Sequence, residues 1–357
     1  MVSVRLENVS KKVPGGSGVH GLNLNVEDGE FFVIAGPPGS GKSMVLRLIA
    51  GLETPDEGKI YLGNEPITDL PPHRRGISMV FQSLALYPNK TVFENIAFPL
   101  RVQRLPENEI RSRVKDVAGF LRIDHILHKY PRFLSGGEQQ RVAVARAMIV
   151  RPKLFLFDQP LANLDAIIRV AMRDEIRRIV KETGTTAIYI THENVEALSI
   201  ADRIAYMEKG RVVEIGTPEQ FLNDPHDFRV ARYFADVNYV ESLVEERNGR
   251  TYVNFLSTKL ELPSAPAAGK KVILAFKTSD VILGKGIQPS DGVLMERGEV
   301  TMVEEHVRSR ICSLKLSDGC EVRAYTGNRF EIGEQVDVMI RRDKLYIYDG
   351  ETMSRLS

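Results

Sequence analysis

From Val2 to about Phe234, short apolar runs alternate with stretches whose apolar residues recur every three or four positions. That alternation predicts parallel strands joined by crossover helices. FFVIAG (31–36), ISMVF (77–81), LFLFD (154–158) and TAIYIT (186–191) carry almost no polar residue, as strands do when helices cover both faces of their sheet. Between Thr91 and Val150 strand signals vanish, and FENIAFPLRV, NEIRSRVKDVAGFL and QQRVAVARAMIV show helical spacing, which predicts a helical subdomain inserted at about 88–150. RIAYMEKGRVVEIG (203–216) predicts a hairpin turning at Lys209 and Gly210. After Tyr233 the pattern changes to short strands separated by Gly, Asp and Asn: YVESLVEE, KVILAF, GEVTMVEEHV, RICSLKL, CEVRAY, QVDVMI and KLYIYD. These predict a small antiparallel β-barrel domain, or a pair, over 236–357, after an α/β domain over 1–235. PSAPAAGKK (263–271) reads as a loop within the second region.

Composition narrows the class. A chain of 357 residues has room for two or three domains, each with its own core. Hydrophobic residues at 43% and charged residues at 27% are ordinary for a soluble globular chain and exclude collagen or wholesale disorder. Lys plus Arg, 48, nearly balance Asp plus Glu, 47, so the net charge of +1 provides no global field for nucleic acid or acidic lipid. The two cysteines, Cys312 and Cys320, imply neither a disulfide framework nor a zinc site, fit a reducing compartment, and read as small buried thiols. MVSVRLENVS lacks the pattern of a secretory leader, and no apolar run approaches the roughly 18 residues of a membrane span.

The chemistry begins after the first buried run. Gly36, Pro37, Pro38, Gly39, Ser40, Gly41, Lys42 and Ser43 spell G-x-x-x-x-G-K-S between that strand and the helical run MVLRLIAGL. Backbone amides there can wrap phosphates, the helix start adds positive potential, Lys42 reaches the terminal phosphates, and Ser43 offers a hydroxyl to Mg2+. Asp158 ends LFLFD, where open α/β sheets place ligand chemistry and a carboxylate can hold Mg2+ through water; alone, such an Asp is more often a turn residue. Gln82 and His192 follow two further strands and should emerge at the same sheet edge. LSGGEQQRVAVARA (134–147) sets Ser135, Gly136, Gly137 and Glu138 at a helix start, a second anion cradle or a plain helix cap.

GPPGSGKS, MVFQSLALYPNKTVFENIAFPL, LSGGE, LFLFDQPLANLD and THENVEAL together resemble the ATP-binding subunit of ABC transporters, over most of residues 1–235. The region beyond Tyr233 resembles, more loosely, the regulatory extension of maltose-type importer ATPases: KLYIYDGE fits, whereas AFKTSDV replaces a GIRPEDV-like segment. The resemblance implies an α/β P-loop NTPase fold, an ABC-type nucleotide-binding domain with an inserted helical subdomain, followed by a β-rich OB-like (TOBE-type) domain. It implies ATP and Mg2+ as ligands, with Ser43, Gln82 and Asp158 on the metal, His192 on the γ-phosphate, and Asp165 linking two sites across a dimer. Each ATP would lie between the phosphate loop of one subunit and the Ser135–Glu138 segment of a second ATPase subunit, either a copy or a paralogue. Further implied partners are two transmembrane permease subunits, with an extracytoplasmic solute-binding protein acting indirectly. The implied location is peripheral, at the cytoplasmic face of the cell membrane, and the implied cargo is a sugar or related solute.

Three positions depart from that pattern. Gln159 follows the magnesium aspartate where the family has a glutamate that activates water; Val13 stands near the place of an adenine-stacking aromatic; Met44 replaces a Thr after the magnesium serine. An amide does not accept a proton at neutral pH, and losing a general base costs about 10²- to 10⁴-fold in rate. The expectation is tight ATP binding with weak hydrolysis at this chain's own site. Since LSGGE is intact, a degenerate partner in an asymmetric heterodimer, or a nucleotide-gated regulatory module, is the alternative. A soluble ABC-type factor acting on nucleic acid, resting on HVRSR (306–310) and an OB-like tail, is disfavoured by the near-zero charge and the lack of stacking platforms.

Overall fold

Alternation decides the first sheet of the computed structural model, which describes residues 2–162, 164–262, 267–286, 292–305 and 309–356. Residues 1–66 contribute β1 (Val4–Lys11), β2 (Val19–Val26), β3 (Phe31–Ala35), α1 (Lys42–Ala50), β4 (Glu57–Leu62) and β5 (Glu65–Pro66). β1 buries Val4, Leu6 and Val9 and turns polar residues outward, and it pairs antiparallel with both β2 and β4, while β5 pairs with β4. The expectation of parallel strands throughout 2–234 therefore fails here. The turn from β1 to β2 is too short for a crossover helix, and one wet face suits an antiparallel sheet.

The parallel sheet is built from the runs without polar residues. β3 is joined by β6 (Ile77–Val80), β7 (Leu154–Asp158), β8 (Thr186–Thr191), β9 (Arg203–Glu208) and β10 (Arg211–Gly216), in the order β10-β9-β3-β8-β7-β6. Pairs β3–β8, β3–β9, β6–β7 and β7–β8 are parallel, and β9–β10 forms the antiparallel hairpin turning at Lys209 and Gly210. Every residue of β3 and β8 is buried. α1 sends Val45, Leu46, Leu48 and Ile49 into one core shared with Leu6 and Ile60 of the first sheet and Ile34, Leu156 and Ile188 of the second.

Among the described residues no strand lies between Thr91 and Val150. The segment holds α2 (Val92–Val102), α3 (Glu107–Phe120) and α4 (Gly136–Met148). Thr91 starts α2 with a capping box: its hydroxyl accepts from Glu94 N at 3.2 Å while Glu94 accepts from Thr91 N at 2.7 Å. Fully buried Asn95 then brackets the preceding loop, accepting from Tyr87 N at 2.8 Å and donating to the carbonyls of Tyr87, Lys90 and Thr91. α5 (Ala166–Thr183) and α6 (Asn194–Ile200) complete the α/β unit.

Contacts divide the chain into Met1–Pro218 and Glu219–Ser357. The second unit opens with α7 (Pro218–Asn223) and α8 (Phe228–Phe234), ahead of the change in sequence pattern at Tyr233, because Phe228 stacks on Tyr239 and Tyr348 of the β region. Its strands form two five-stranded antiparallel sheets among the described residues. One is centred on Val237–Arg247 and the other on Val293–Glu305. Val253, Phe255 and Leu274 of the first share one core with Leu294, Leu314 and Val338 of the second, giving the curled, OB-like β domain. Arg250–Phe255, Thr258–Glu261 and Val281–Gly284 are strands that the sequence pattern did not announce. Of PSAPAAGKK, 263–266 lie outside the described residues, and so do 306–308 of HVRSR. Both cysteines are free; Cys312 is buried as expected, but Cys320 is half-exposed, and its thiol is pushed up to about 11, chiefly by burial. No helix among the described residues is long and apolar enough to cross a membrane.

Candidate nucleotide site

The loop after β3 is shaped by close approach. A side chain on Gly36 would put Cβ 2.1 Å from the Met207 carbonyl oxygen of β9, and one on Gly41 would lie 2.8 Å from Gly18 O. Gly41 is also the N-cap of α1, with φ of 94°, and supplies no side-chain cap. The first turn of α1 therefore begins on bare backbone, the arrangement that leaves N–H groups and helix potential to an anion.

Lys42 is 4% exposed, and its Nζ donates to Gly36 O and Pro37 O at 2.8 Å each and to Ser40 Oγ at 3.0 Å. Burial pushes its ammonium down to about 8, with Asp158 pulling the other way. Ser43 Oγ donates to Asp158 Oδ1 at 3.0 Å. Burial raises the Asp158 carboxyl, opposed by the Ser43 hydrogen bond and by the charges of Arg47 and Lys42. Two hard oxygen donors from different elements thus meet beside a buried cation, a donor set that suits Mg2+.

Lys42 and Ser43 border a cavity of about 500 Å³ lined also by Val13, Ser17, Pro38, Gly39, Ser40, Gly41, Met44, Arg47, Gln159 and His192; Asp158 reaches it through Ser43. Its size suits a nucleotide. Gly36 and Pro37 contribute from behind, through their carbonyls on Lys42. Ser17 and Arg47 are additions. Arg47 lies one helical turn past Ser43, a spacing that places both on one face of α1, and Ser17 sits in the glycine-rich turn VPGGSG. Gln82 stands just beyond the end of β6 and is exposed, but it is not among the residues lining this cavity.

Gln159 follows β7 with φ of 45°, a left-handed conformation unusual for a residue with a side chain. Its backbone N donates to Ile190 O at 3.2 Å, and its Oε1 lies 3.0 Å from His192 Nδ1. With the amide oxygen accepting, Nδ1 is the nitrogen that carries the proton in this contact. Behind this pair lies a cavity of about 10 Å³, bordered also by Arg169, Thr191, Glu193 and Glu196. Arg169 joins two turns there, donating to Glu193 Oε1 at 2.6 Å and to Leu164 O at 3.0 Å. Tyr189 OH donates to Glu196 at 2.6 Å, and burial raises that carboxyl. Neither Arg169 nor Glu196 stood out in the sequence, because each acquires meaning only from the strand ends that flank it.

The second glycine-rich helix start is different. Ser135 caps α4, accepting from Glu138 N at 3.3 Å, while Glu138 accepts from Ser135 N at 2.7 Å, which holds its carboxyl below the usual range. A Cβ on Gly136 would lie 2.9 Å from Leu164 Cδ2, and one on Gly137 would lie 3.2 Å from Ile168 Cγ2. The glycines therefore let α4 start against the turn into α5, whose N-cap Asp165 accepts from Ile168 N at 3.0 Å. None of Ser135, Gly136, Gly137, Glu138 or Asp165 lines the phosphate-loop cavity.

Residues 19–162 match the family model described as ABC transporter. The chain is 38% identical to the trehalose/maltose import ATP-binding protein MalK of Thermococcus litoralis, over 99% of this chain and 99% of that protein. It is 37% identical to the glucose import ATP-binding protein GlcV of Saccharolobus solfataricus, over 98% and 99% of the two chains. It is 36% identical to the sn-glycerol-3-phosphate import ATP-binding protein UgpC of Psychromonas ingrahamii, over 100% and 96%. Among solved structures it is similar to a dimeric post-hydrolysis state of an ATP-binding cassette bound to ADP and Pi, with a TM-score of 0.54 and 33% identity over 60% of this chain and 98% of the other.

Proposed function

Because the chain belongs to the ATP-binding subunits of ABC transporters, we propose that it binds ATP and couples closure of an ATPase dimer to solute import through separate membrane subunits. The observation that carries this reading is the buried Lys42 beside the Ser43–Asp158 pair in a nucleotide-sized cavity. Lys42 and the bare start of α1 hold the phosphates by charge and backbone N–H donors. Ser43 and Asp158 would hold magnesium, with Gln82 as a further ligand, and the ion would supply neutralisation of phosphate charge. His192 faces the cavity and is oriented by Gln159 for the γ-phosphate. The Ser135–Glu138 segment of a second subunit closes over the nucleotide, and Asp165 links the two sites. The cargo is a sugar or a phosphorylated polyol, the classes named for the relatives, and the working location is the cytoplasmic face of the membrane.

A second cavity, of about 680 Å³, lies beside the edge strand β6 and includes Met79, Phe81, Tyr87, Phe98, Val102 and Arg146 in its lining. We assign it to an apolar element of a permease subunit.

Gln159 cannot serve as a base, so this chain's own site binds ATP and turns it over slowly. Steady-state hydrolysis of the purified chain is the test; native turnover as fast as that of Gln159→Glu, and lost in Lys42→Ala, overturns it. The placement of Val13, Met44 and Gln159 on one cavity favours a second reading, in which the chain is the degenerate half of a heterodimer and supplies its intact Ser135–Glu138 segment to a catalytically complete paralogue. Co-purification from the native source that yields only self-pairs rejects that reading.

A further inference from the structure

Ser135 is preceded by a ring that faces water. Phe133 is 62% exposed and ends a single 3-10 turn, Pro131–Phe133, that leads into the cap of α4. One exposed ring is ordinary on a protein surface, but the turn that carries this one is tightly held. Phe133 N donates to Tyr130 O at 3.0 Å, and Gln139 of α4 reaches back with Nε2 to Pro131 O at 3.1 Å and Leu134 O at 3.3 Å. Leu134 and Ser135 are extended, with φ and ψ of −101° and 143° and of −63° and 160°. Side chains alternate along extended backbone, so buried Leu134 points inward while Phe133 and Ser135 emerge on one side, their Cα atoms about 7 Å apart. The Arg132 guanidinium lies over one face of the ring, 4.7 Å from its centroid.

The nucleotide cavity lacks the matching group. No Phe, Tyr or Trp is found in its lining. Val13, near the place that the family resemblance gives to an adenine-stacking aromatic, offers only a branched alkyl group. A purine resting on such a group gains burial without stacking, and its opposite face stays in water until something covers it. Any surface that brings the Ser135 hydroxyl to the nucleotide brings Phe133 with it, because the two share one held segment.

We propose that Phe133 supplies, across a dimer of identical copies, the base-stacking ring that this chain's own cavity lacks, each Phe133 covering the open face of the adenine held against Val13 of the partner subunit. The inference rests on the divided site proposed above and adds to it a contact with the base. A ring placed this way favours the closed dimer only when the ligand carries a base, and it adds nothing to ATP binding by a single copy.

Sedimentation of the purified chain across a series of Mg-ATP concentrations tests it. Phe133→Ala should raise the ATP concentration at half-dimerisation about tenfold or more, the worth of one base–aromatic stack, whereas Phe133→Tyr should stay within about twofold of native. Adding Val13→Tyr to Phe133→Ala should recover most of the loss, since a ring on the same cavity then stacks from within. In dilute, monomeric chain, equilibrium binding of labelled ATP should be the same within about twofold for Phe133→Ala and native, because Phe133 is not in the lining of its own cavity. The chain contains no tryptophan, so Phe133→Trp places a single indole at the contact. ATP should quench its emission at lower ATP concentration as protein concentration rises, the mark of a contact made between copies. Native dimerisation in Phe133→Ala, a loss that Val13→Tyr does not reduce, an indole signal independent of protein concentration, or an ATP-bound native chain that stays monomeric overturns the proposal. If Phe133→Ala does not fold, Phe133→Leu, which keeps apolar bulk without a ring, decides the same question. In all of these outcomes the phosphate loop still binds ATP; only a native chain that does not bind ATP overturns the functional reading as well.

Discussion

The starts of α1 and α4 both follow serine- and glycine-rich turns, yet they solve the same physical problem in opposite ways. α1 begins at Gly41, which has no capping side chain, and its first residue is a buried lysine. α4 begins at Ser135 with both halves of a capping box in place. A helix start without a cap leaves donors that a ligand must satisfy, whereas a boxed one is already satisfied and stable alone. The first is therefore built to hold phosphate within this chain. On the proposed function, the second presents a hydroxyl and glycine backbone that take part only when the partner's nucleotide site arrives. That contrast supports the proposed division of the site between two subunits.

The largest expected effect asks whether the α1 site lacks anything besides a base. Gln159→Glu should raise steady-state ATP turnover by about 10²- to 10⁴-fold, measured by phosphate release. Turnover left unchanged while ATP still binds would move the defect to Val13 and Met44. Next, Lys42→Ala removes the buried cation and several charge-assisted hydrogen bonds, and calorimetry should show ATP affinity reduced by about 10²-fold or more. Ser135→Ala in the isolated chain should leave that affinity alone, and a comparable loss there would break the contrast between the two starts.

A smaller effect follows from the lowered pKa of Lys42. The charged form grips phosphate, and the free protein loses that proton near pH 8. ATP affinity should fall about tenfold between pH 7 and pH 9, and Lys42→Arg should flatten the profile. Stability runs the other way. Because the ordinary lysine value is near 10.4, the unfolded chain holds more protons than the folded one between pH 8 and that value, so Lys42 itself favours folding more as pH rises. Chemical denaturation of Lys42→Met beside the native chain across that window checks the sign. The smallest effect is the cap: Ser135→Ala should cost about 1 kcal/mol and lower the melting temperature of the α/β unit by about 2–4 °C, read by calorimetry.

Legibility differed between these regions for physical reasons. The phosphate loop was fully readable, because Gly36, Gly41, Lys42 and Ser43 act within a few residues of one another and their spacing carries the chemistry. Asp158 and His192 were readable as strand ends, since parallel strands bring their C-terminal ends to one edge. Arg47 and Ser17 were missed because each is ordinary where it stands and lines the cavity only after α1 and the 12–18 turn pack around the loop. The antiparallel sheet of β1, β2, β4 and β5 was missed because its alternating strands were read with the period of their buried neighbours. Arg146 carried no local signal at all; its guanidinium donates to the carbonyls of Leu84 and Ala85, 62 and 61 residues earlier in the chain.

What the sequence determined by itself was everything set by short spacing or local period: the buried strands, the helical insert, the hairpin at Lys209 and Gly210, the phosphate loop, and Gln159 directly after the strand-end Asp158. Only the tertiary structure decided which distant groups meet. It placed Ser43 against Asp158, turned Gln159 toward His192, kept the Ser135–Glu138 cap out of the phosphate cavity, and set Arg146 against the carbonyls of Leu84 and Ala85. Spacing and period are encoded within one or two turns of chain, whereas these meetings depend on how whole elements pack, and no single residue type announces its partner across the fold.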